Sequence, residues 1–187
     1  MSSHTEKLII SIVGPIGSGK DTVAELISSL LHIKIRQISE PLRQIAQKQG
    51  IQQTRENLIE LGTKTALEFG PDFLARQIYQ NNEFPLIITG MRQPEQIKFF
   101  SQVARNIIIS IDADPAIRFE RAKMRGRSGE ATDLQTFLMR EQEENAPPRT
   151  QRVFECMKLA TYHVENNTSL QELSKKILTI LEKEKLL

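Results

Sequence analysis

The hydrophobic pattern along this chain alternates between two periods. Leu8-Ile9-Ile10-Ser11-Ile12-Val13 is a β-branched apolar run of the kind that forms a buried strand. It runs directly into Gly14-Pro15-Ile16-Gly17-Ser18-Gly19-Lys20-Asp21-Thr22, and from there the period lengthens. Val23, Ala24, Ile27, Leu30 and Leu31 mark one stripe of a helix over 21–31. A short strand is expected over 33–38. Ser39 and Pro41 then signal the start of a helix reaching about Gln49, and Thr54 caps a further helix to Phe69, stopped by Gly70. Another helix is expected over 71–80. Apolar runs at 85–89 and 106–111 read as short buried strands, each followed by a proline-started helix at Pro94 and Pro115. A final strand at 162–165 precedes a helix in which Ser169 and Glu172 have capping-box spacing.

Strands alternating with helices predict a three-layer α/β/α fold around a sheet of about five parallel strands. In such sheets ligands gather at the carboxyl ends of the strands. Two segments lie outside the simple alternation. Residues 39–81 place helices between the second and third strands, and residues 126–150 extend the chain beyond the Pro115 helix. Both are read as covers on a single domain spanning 1–187: the first a helical insert that holds an acceptor, the second a lid.

The glycine-rich turn carries the chemistry. Glycines allow successive backbone N–H groups to point inward at an anion, and the following helix adds the positive end of its dipole. Gly14, four intervening residues and Gly19-Lys20 match the spacing of the phosphate-cradling loop of nucleotide-binding proteins. The amides of Gly14, Pro15 (whose ring nitrogen has no proton), Ile16, Gly17, Ser18 and Gly19 thus form a nucleoside triphosphate cradle, and Lys20 reaches its terminal phosphates. Asp21 stands where Ser or Thr usually holds Mg²⁺, with Thr22 one residue later.

Composition adds limits. Twenty-five Lys and Arg against 23 acidic residues give a net charge of +2, which leaves no field for a nucleic acid or a membrane surface. His4, His32, His163 and the single Cys156 are too few and scattered for a structural zinc site, and one cysteine excludes an internal disulfide. No apolar run approaches the roughly 20 residues that span a bilayer, and no signal peptide precedes the first strand. A cytoplasmic protein, monomer or homodimer, is expected.

Arginines punctuate both covers. Arg118, Arg121 and Arg125 share one helix face, with Arg127 beyond them. Guanidinium groups grip phosphate oxygens and offset charge as it develops, so Arg121 and Arg125 are the leading lid candidates; a solvated basic face is the alternative. Arg36, Arg43, Arg55, Asn57, Asp72 and Arg76 lie in or beside the insert. Arg43 and Arg76 are chosen among them to bind an acceptor phosphate, together with Arg92 at the end of the third strand. Phe69, Phe73, Phe99 and Phe100 are assigned to the core.

The first loop resembles that of nucleoside monophosphate kinases and dephospho-coenzyme A kinases, and its Lys-Asp-Thr ending is similar to that of phage-type deoxynucleoside monophosphate kinases. The resemblance extends through Ile87-Ile88-Thr89-Gly90-Met91-Arg92, the stretch from Ile111 to Arg127, and Val164-Glu165-Asn166-Asn167-Thr168. Together these resemble a kinase-like family of unassigned substrate, often found in archaea and related to both groups. The resemblance implies MgATP as donor, an acceptor-binding insert and an arginine-bearing lid. It also implies that Asn166 lies near the donor's adenine; a plain turn is the other reading.

One departure stands out. Relatives carry an Asp at the end of the third strand that positions Mg²⁺ through water, and this chain has Thr89 there. Asp21 and Asp112 are the remaining metal candidates. Asp21 either orients metal-bound water, accepts a proton from the acceptor, or simply favours the first helical turn. Asp112 either faces the ligand or caps the next turn. The expected chemistry is γ-phosphoryl transfer from ATP to a nucleoside or deoxynucleoside monophosphate. The alternatives are transfer to a ribose hydroxyl, as in dephospho-coenzyme A kinase, and a non-catalytic or slowly hydrolysing ATP-binding module.

Overall fold

A computed structural model describes residues 7–126, 131–147 and 151–187. Its centre is β1 (Leu8–Val13), flanked by β3 (Leu86–Thr89) and β4 (Arg105–Asp112), with β2 (Lys34–Gln37) and β5 (Tyr162–Glu165) at the edges. The order is β2-β3-β1-β4-β5 and every pairing is parallel. Among the described residues the connecting helices are α1 (Lys20–Leu31), α2 (Glu40–Lys48), α3 (Arg55–Phe69), α4 (Phe73–Gln80), α5 (Pro94–Val103), α6 (Pro115–Arg125), α7 (Leu134–Glu144), α8 (Val153–Lys158) and α9 (Leu170–Lys183).

Side-chain alternation in the central strands divides the core into two layers. Ile10, Ile12, Ile87, Ile109 and Ile111 face α1 and α9, where they meet Val23, Ile27, Leu173 and Ile177. Ile9, Val13, Leu86, Ile88 and Ile108 face the opposite way and pack on Ile78 of α4, Ile97 and Phe100 of α5, and Cys156 of α8. Both faces being covered is why the strands read as near-continuous apolar runs rather than as alternating ones.

Two smaller cores build the covers. Leu42, Ala46 and Leu61 join α2 to α3, with Leu58 and Leu74 against them. Phe119 and Ala122 of α6 meet Phe137 of α7, with Ile16 of the phosphate loop packed alongside. The α6–α7 pair is therefore seated on the loop itself.

The helix starts behave as their sequences indicate at Thr54, whose hydroxyl accepts from the Asn57 amide, and at Ser169, which accepts from Glu172 N. Three local expectations shift. The fourth helix begins at Phe73 rather than Pro71, because Pro71 and Asp72 form the turn into it. β2 is shorter than 33–38: Ile33 and Ile38 bury their side chains in the two cores at its ends, although the Ile38 amide still donates to the Thr89 carbonyl at 2.9 Å. Phe69 is half-exposed and stacks on Phe73 with ring centroids 4.9 Å apart, so only Phe99 and Phe100 of the four phenylalanines pack into the main core. No described helix is long and apolar enough to cross a membrane.

Candidate functional site

The site is built where β1 ends. Gly17 has φ 77° and Gly19 has φ 96°, backbone conformations that a side chain opposes. Space forbids one too: a Cβ on Gly17 would stand 2.2 Å from the Arg118 carbonyl oxygen, and one on Gly19 would stand 2.3 Å from the Asn166 amide nitrogen. The loop is thus pressed from outside by two other segments. Gly19 is the N-cap of α1, so the loop's amides and the helix dipole converge on one anion-sized hollow. Gly14 and Pro15 leave the strand, and the Ser18 amide bonds back to the Pro15 carbonyl at 3.3 Å. Ser18 Oγ is buried with no hydrogen-bond partner among the described residues. Such a cradle, with glycines where nothing larger fits, suits a polyphosphate.

Asn166, following β5, supports the loop from below. Its side-chain amide donates to the Ser18 carbonyl at 2.8 Å, and its backbone amide donates to the Asp112 carbonyl at 2.7 Å. Arg121 completes this brace: Nη2 donates to the Asn166 carbonyl at 3.0 Å and Nη1 to the Gly17 carbonyl at 3.5 Å. Arg118 lies deeper, only 4 % exposed, bonding the carbonyls of Ala113 and Ile16 and gripping both oxygens of Glu141 on α7.

In front of the loop opens a cavity of about 780 Å³. Lys20, Asp21 and Ile16 form its floor, and the insert helices α2, α3 and α4 form one wall. Thr89, Gly90 and Arg92 form its back, and Arg125 reaches in from α6. Lys20 Nζ lies 3.5 Å from the Pro15 carbonyl oxygen, folded back over the cradle. Cations prevail among the described residues: Lys20, Arg43, Arg55, Arg92 and Arg125 line the cavity against one carboxylate, that of Asp21. Burial lowers the Arg92 pKa, with Glu144 opposing that shift; Arg92 Nη1 donates to Gln151 Oε1 at 2.7 Å.

The predicted site residues therefore separate into groups. Lys20, Asp21, Arg43, Arg92 and Arg125 meet in the cavity, while Arg121 and Asn166 act on the phosphate loop. Arg43 is exposed and shares two contacts with Gln53. Arg76 is turned away from the cavity, held by Asp72 one turn back and by the Phe69 carbonyl at 2.8 Å. Thr22 is exposed and outside the cavity lining. The Asp112 carboxylate accepts from the Ala113 amide at 2.8 Å and lies 3.6 Å from Arg118 Nε, so it caps the turn before α6. Arg127 lies outside the described residues, as does part of the 126–150 lid.

For a divalent cation the donors are sparse: Asp21 faces the cavity and Thr89 replaces the usual acid. Among the described residues no group of three His, Cys, Asp or Glu side chains clusters to hold a metal unaided. Asp21 is the carboxylate that could assist a Mg²⁺ here, because it lines the cavity beside Lys20. Sequence reasoning missed Glu141, Glu144, Gln96 and Gln151, which support the arginines from behind. Nothing in a run such as Glu141-Gln142-Glu143-Glu144 distinguishes these buried carboxylates from a solvated helix end.

Comparison with known proteins agrees with this geometry. An AAA domain profile matches residues 10–146. The UPF0200 protein PH1008 of Pyrococcus horikoshii is 32 % identical over 186 residues, covering 94 % of this chain and 97 % of the relative. A UPF0200 protein of Hyperthermus butylicus is 28 % identical over 174 residues, 91 % of each chain. Among solved structures, shikimate kinase from Acinetobacter baumannii in complex with shikimate aligns with a TM-score of 0.61 at 18 % identity, over 98 % of this chain and 97 % of that one. A gluconokinase from Sinorhizobium meliloti aligns with a TM-score of 0.54 at 17 % identity, over 95 % and 93 %. The shared architecture is the P-loop kinase fold.

Proposed function

Since the chain belongs to the AAA domain family and groups with the UPF0200 proteins, we propose that it is an ATP-dependent small-molecule kinase whose acceptor is a nucleoside or deoxynucleoside monophosphate. The observation that carries this reading is the continuity of the phosphate loop with a cation-lined cavity beneath a helical insert. A donor bound in the loop and an acceptor bound in the cavity would meet at Lys20 and Arg125.

In this reading the loop amides from Gly14 to Lys20 hold the β-phosphate, and Lys20 spans β and γ. Arg121 keeps the loop in shape and flanks the nucleotide beside Asn166. Arg125 approaches the transferred group, and Arg92 with Arg43 holds the acceptor's phosphate. MgATP supplies the phosphoryl group and charge neutralisation at its oxygens. The rest is positioning, and closure of insert and lid keeps water from competing. A single, buried cysteine suits the reducing cytoplasm in which we place the protein.

A second reading has its own observation. Asp21 lines the cavity beside Lys20, where a carboxylate can take the proton of an attacking hydroxyl. Transfer to a ribose or other hydroxyl would use that group, whereas a phosphate nucleophile needs none. The deciding experiment is ADP release from MgATP in the presence of nucleoside monophosphates, deoxynucleoside monophosphates, dephospho-coenzyme A and sugar alcohols, tested separately. Stimulation by a monophosphate supports the first reading and by a hydroxyl acceptor the second. Nucleotide binding without stimulation by any acceptor points to an ATP-binding module.

A further inference from the structure

Arg55 opens α3, a position where a cation is opposed by the positive end of the helix dipole. Local helix energetics would place an acid there. The partner that compensates is far away in sequence: Arg55 Nε donates to Glu144 Oε1 at 2.9 Å and Nη2 to Oε2 at 2.7 Å, a two-pronged pair between the insert and the last residue of α7. Glu144 is 8 % exposed and does not line the cavity; Arg55 does. The carboxylate thus stands behind the wall and the guanidinium on it, with Nη1 outside the ion pair.

Arg92 belongs to the same arrangement. Its Nη1 donates to Gln151, itself 7 % exposed, and its carbonyl accepts from the Arg152 amide at 2.6 Å. Asn145, next to Glu144, accepts from the Val153 amide at 2.7 Å and donates to the Glu141 carbonyl at 2.8 Å. The end of α7 and the start of α8 are therefore one tied unit, and it anchors both arginines. Glu144 also acts on Arg92 electrostatically, offsetting the cost of burying a second cation beside Arg55.

We propose that Glu144 is a positioning residue of the acceptor site, fixing the Arg55 guanidinium beside Arg92 so that the pair reads a terminal phosphate monoester on the acceptor. This rests on the reading that the cavity receives the acceptor. Planar, prearranged guanidiniums match phosphate oxygens in a way a mobile ammonium does not. A neutral, hydroxyl-only acceptor would offer neither guanidinium a phosphate oxygen to fork onto.

The test is a binding measurement on protein saturated with MgADP, so that the phosphate loop is already filled. Nucleoside monophosphates, the matching nucleosides and ribose 5-phosphate are titrated by calorimetry into the wild type, Glu144→Gln and Arg55→Lys. Glu144→Gln removes a negative charge, so a simple field effect would tighten anion binding, whereas loss of positioning loosens it. Both variants should weaken phosphomonoester binding by about tenfold or more while nucleoside and ADP affinities hold. Arg55→Lys keeps the charge at an exposed helix start, so it decides the matter if Glu144→Gln does not fold. Unchanged or tighter phosphomonoester binding in folded Glu144→Gln or in Arg55→Lys, or equal losses for nucleoside and monophosphate, overturns the role. If ribose 5-phosphate binds the wild type and nucleoside monophosphates do not, the nucleotide acceptor falls and the variants still judge Glu144. If no phosphomonoester binds the loaded wild type, the positioning role falls, and ADP release with hydroxyl acceptors still tests the kinase reading.

Discussion

The Arg118 guanidinium holds the Glu141 carboxylate through hydrogen bonds of 2.6 and 3.0 Å while bonding the Ile16 carbonyl of the phosphate loop at 3.3 Å. One nearly inaccessible side chain thus joins α7 to the glycine-rich loop. Replacing Glu141 with Ala leaves that buried guanidinium only the more exposed Asp112 carboxylate, 3.6 Å from its Nε. The loss then has as its upper limit the about 3–5 kcal/mol that breaking a buried pair costs. Glu141→Ala should therefore lower unfolding stability by up to that amount and weaken ADP binding. Urea unfolding with and without ADP checks both; a variant as stable as the wild type would show that the pair carries no net stability.

Lys20→Ala should abolish turnover and strongly reduce nucleotide affinity. Isothermal titration with MgADP and MgATP reads this directly, and intact ATP affinity would remove Lys20 from the donor site.

Gly19 and Asn166 should behave as a coupled pair. An alanine Cβ at 19 collides with the Asn166 amide, which itself holds the Ser18 carbonyl. In a double-mutant cycle, Gly19→Ala with Asn166→Ala should cost less than the sum of the single changes, because the second removes the atom the first strikes. Such pairs couple by about 0.5–3 kcal/mol. Additive losses would mean that backbone strain at φ 96° alone governs Gly19.

Asp21→Asn separates the two kinds of acceptor. Transfer to a phosphate should survive within a few-fold, since no proton need be removed, whereas transfer to a hydroxyl should fall by about 10²–10⁴. The ratio of the two rates, measured on one preparation, is the informative quantity.

Burial pushes the Cys156 thiol up to about 12. Its raised folded value means that the stabilisation is complete below the unfolded thiol's pKa and is lost as pH rises from about 9 toward 12. The native protein should accordingly resist a thiol reagent at pH 8 and react fully in urea. Rapid reaction of the native protein at pH 8 would place Cys156 nearer the surface than the core of α8.

Much of this was legible in residue order. The strand-loop-helix at 8–31 and the alternation that follows contain the parallel sheet, since apolar runs bounded by proline-started helices leave few other arrangements. The cavity's Lys20, Asp21, Arg92 and Arg125 were legible because each sits at the carboxyl end of a strand or on a helix following one. Arg76 illustrates the limit. Its type and place in the insert suited a phosphate, yet Asp72 at i−4 captures it, a contact decided by rotamers within α4. Arg121 shows another: the face it shares with Arg125 was readable, but not that it would bind loop carbonyls. The ion pairs of Arg118 with Glu141 and Arg55 with Glu144 depend on how α7 docks, which no local pattern encodes. Short α8, six residues, carries too little periodicity to be seen.

The bond from Asn166 to Ser18 joins residues 148 positions apart. During synthesis the glycine loop and its strand emerge early, but this support arrives only after β5 has been made. A nascent chain would carry the phosphate-binding sequence long before it carried a rigid phosphate-binding site. On the proposed reading, a nucleotide would therefore add stability to the finished molecule and none to the partial one.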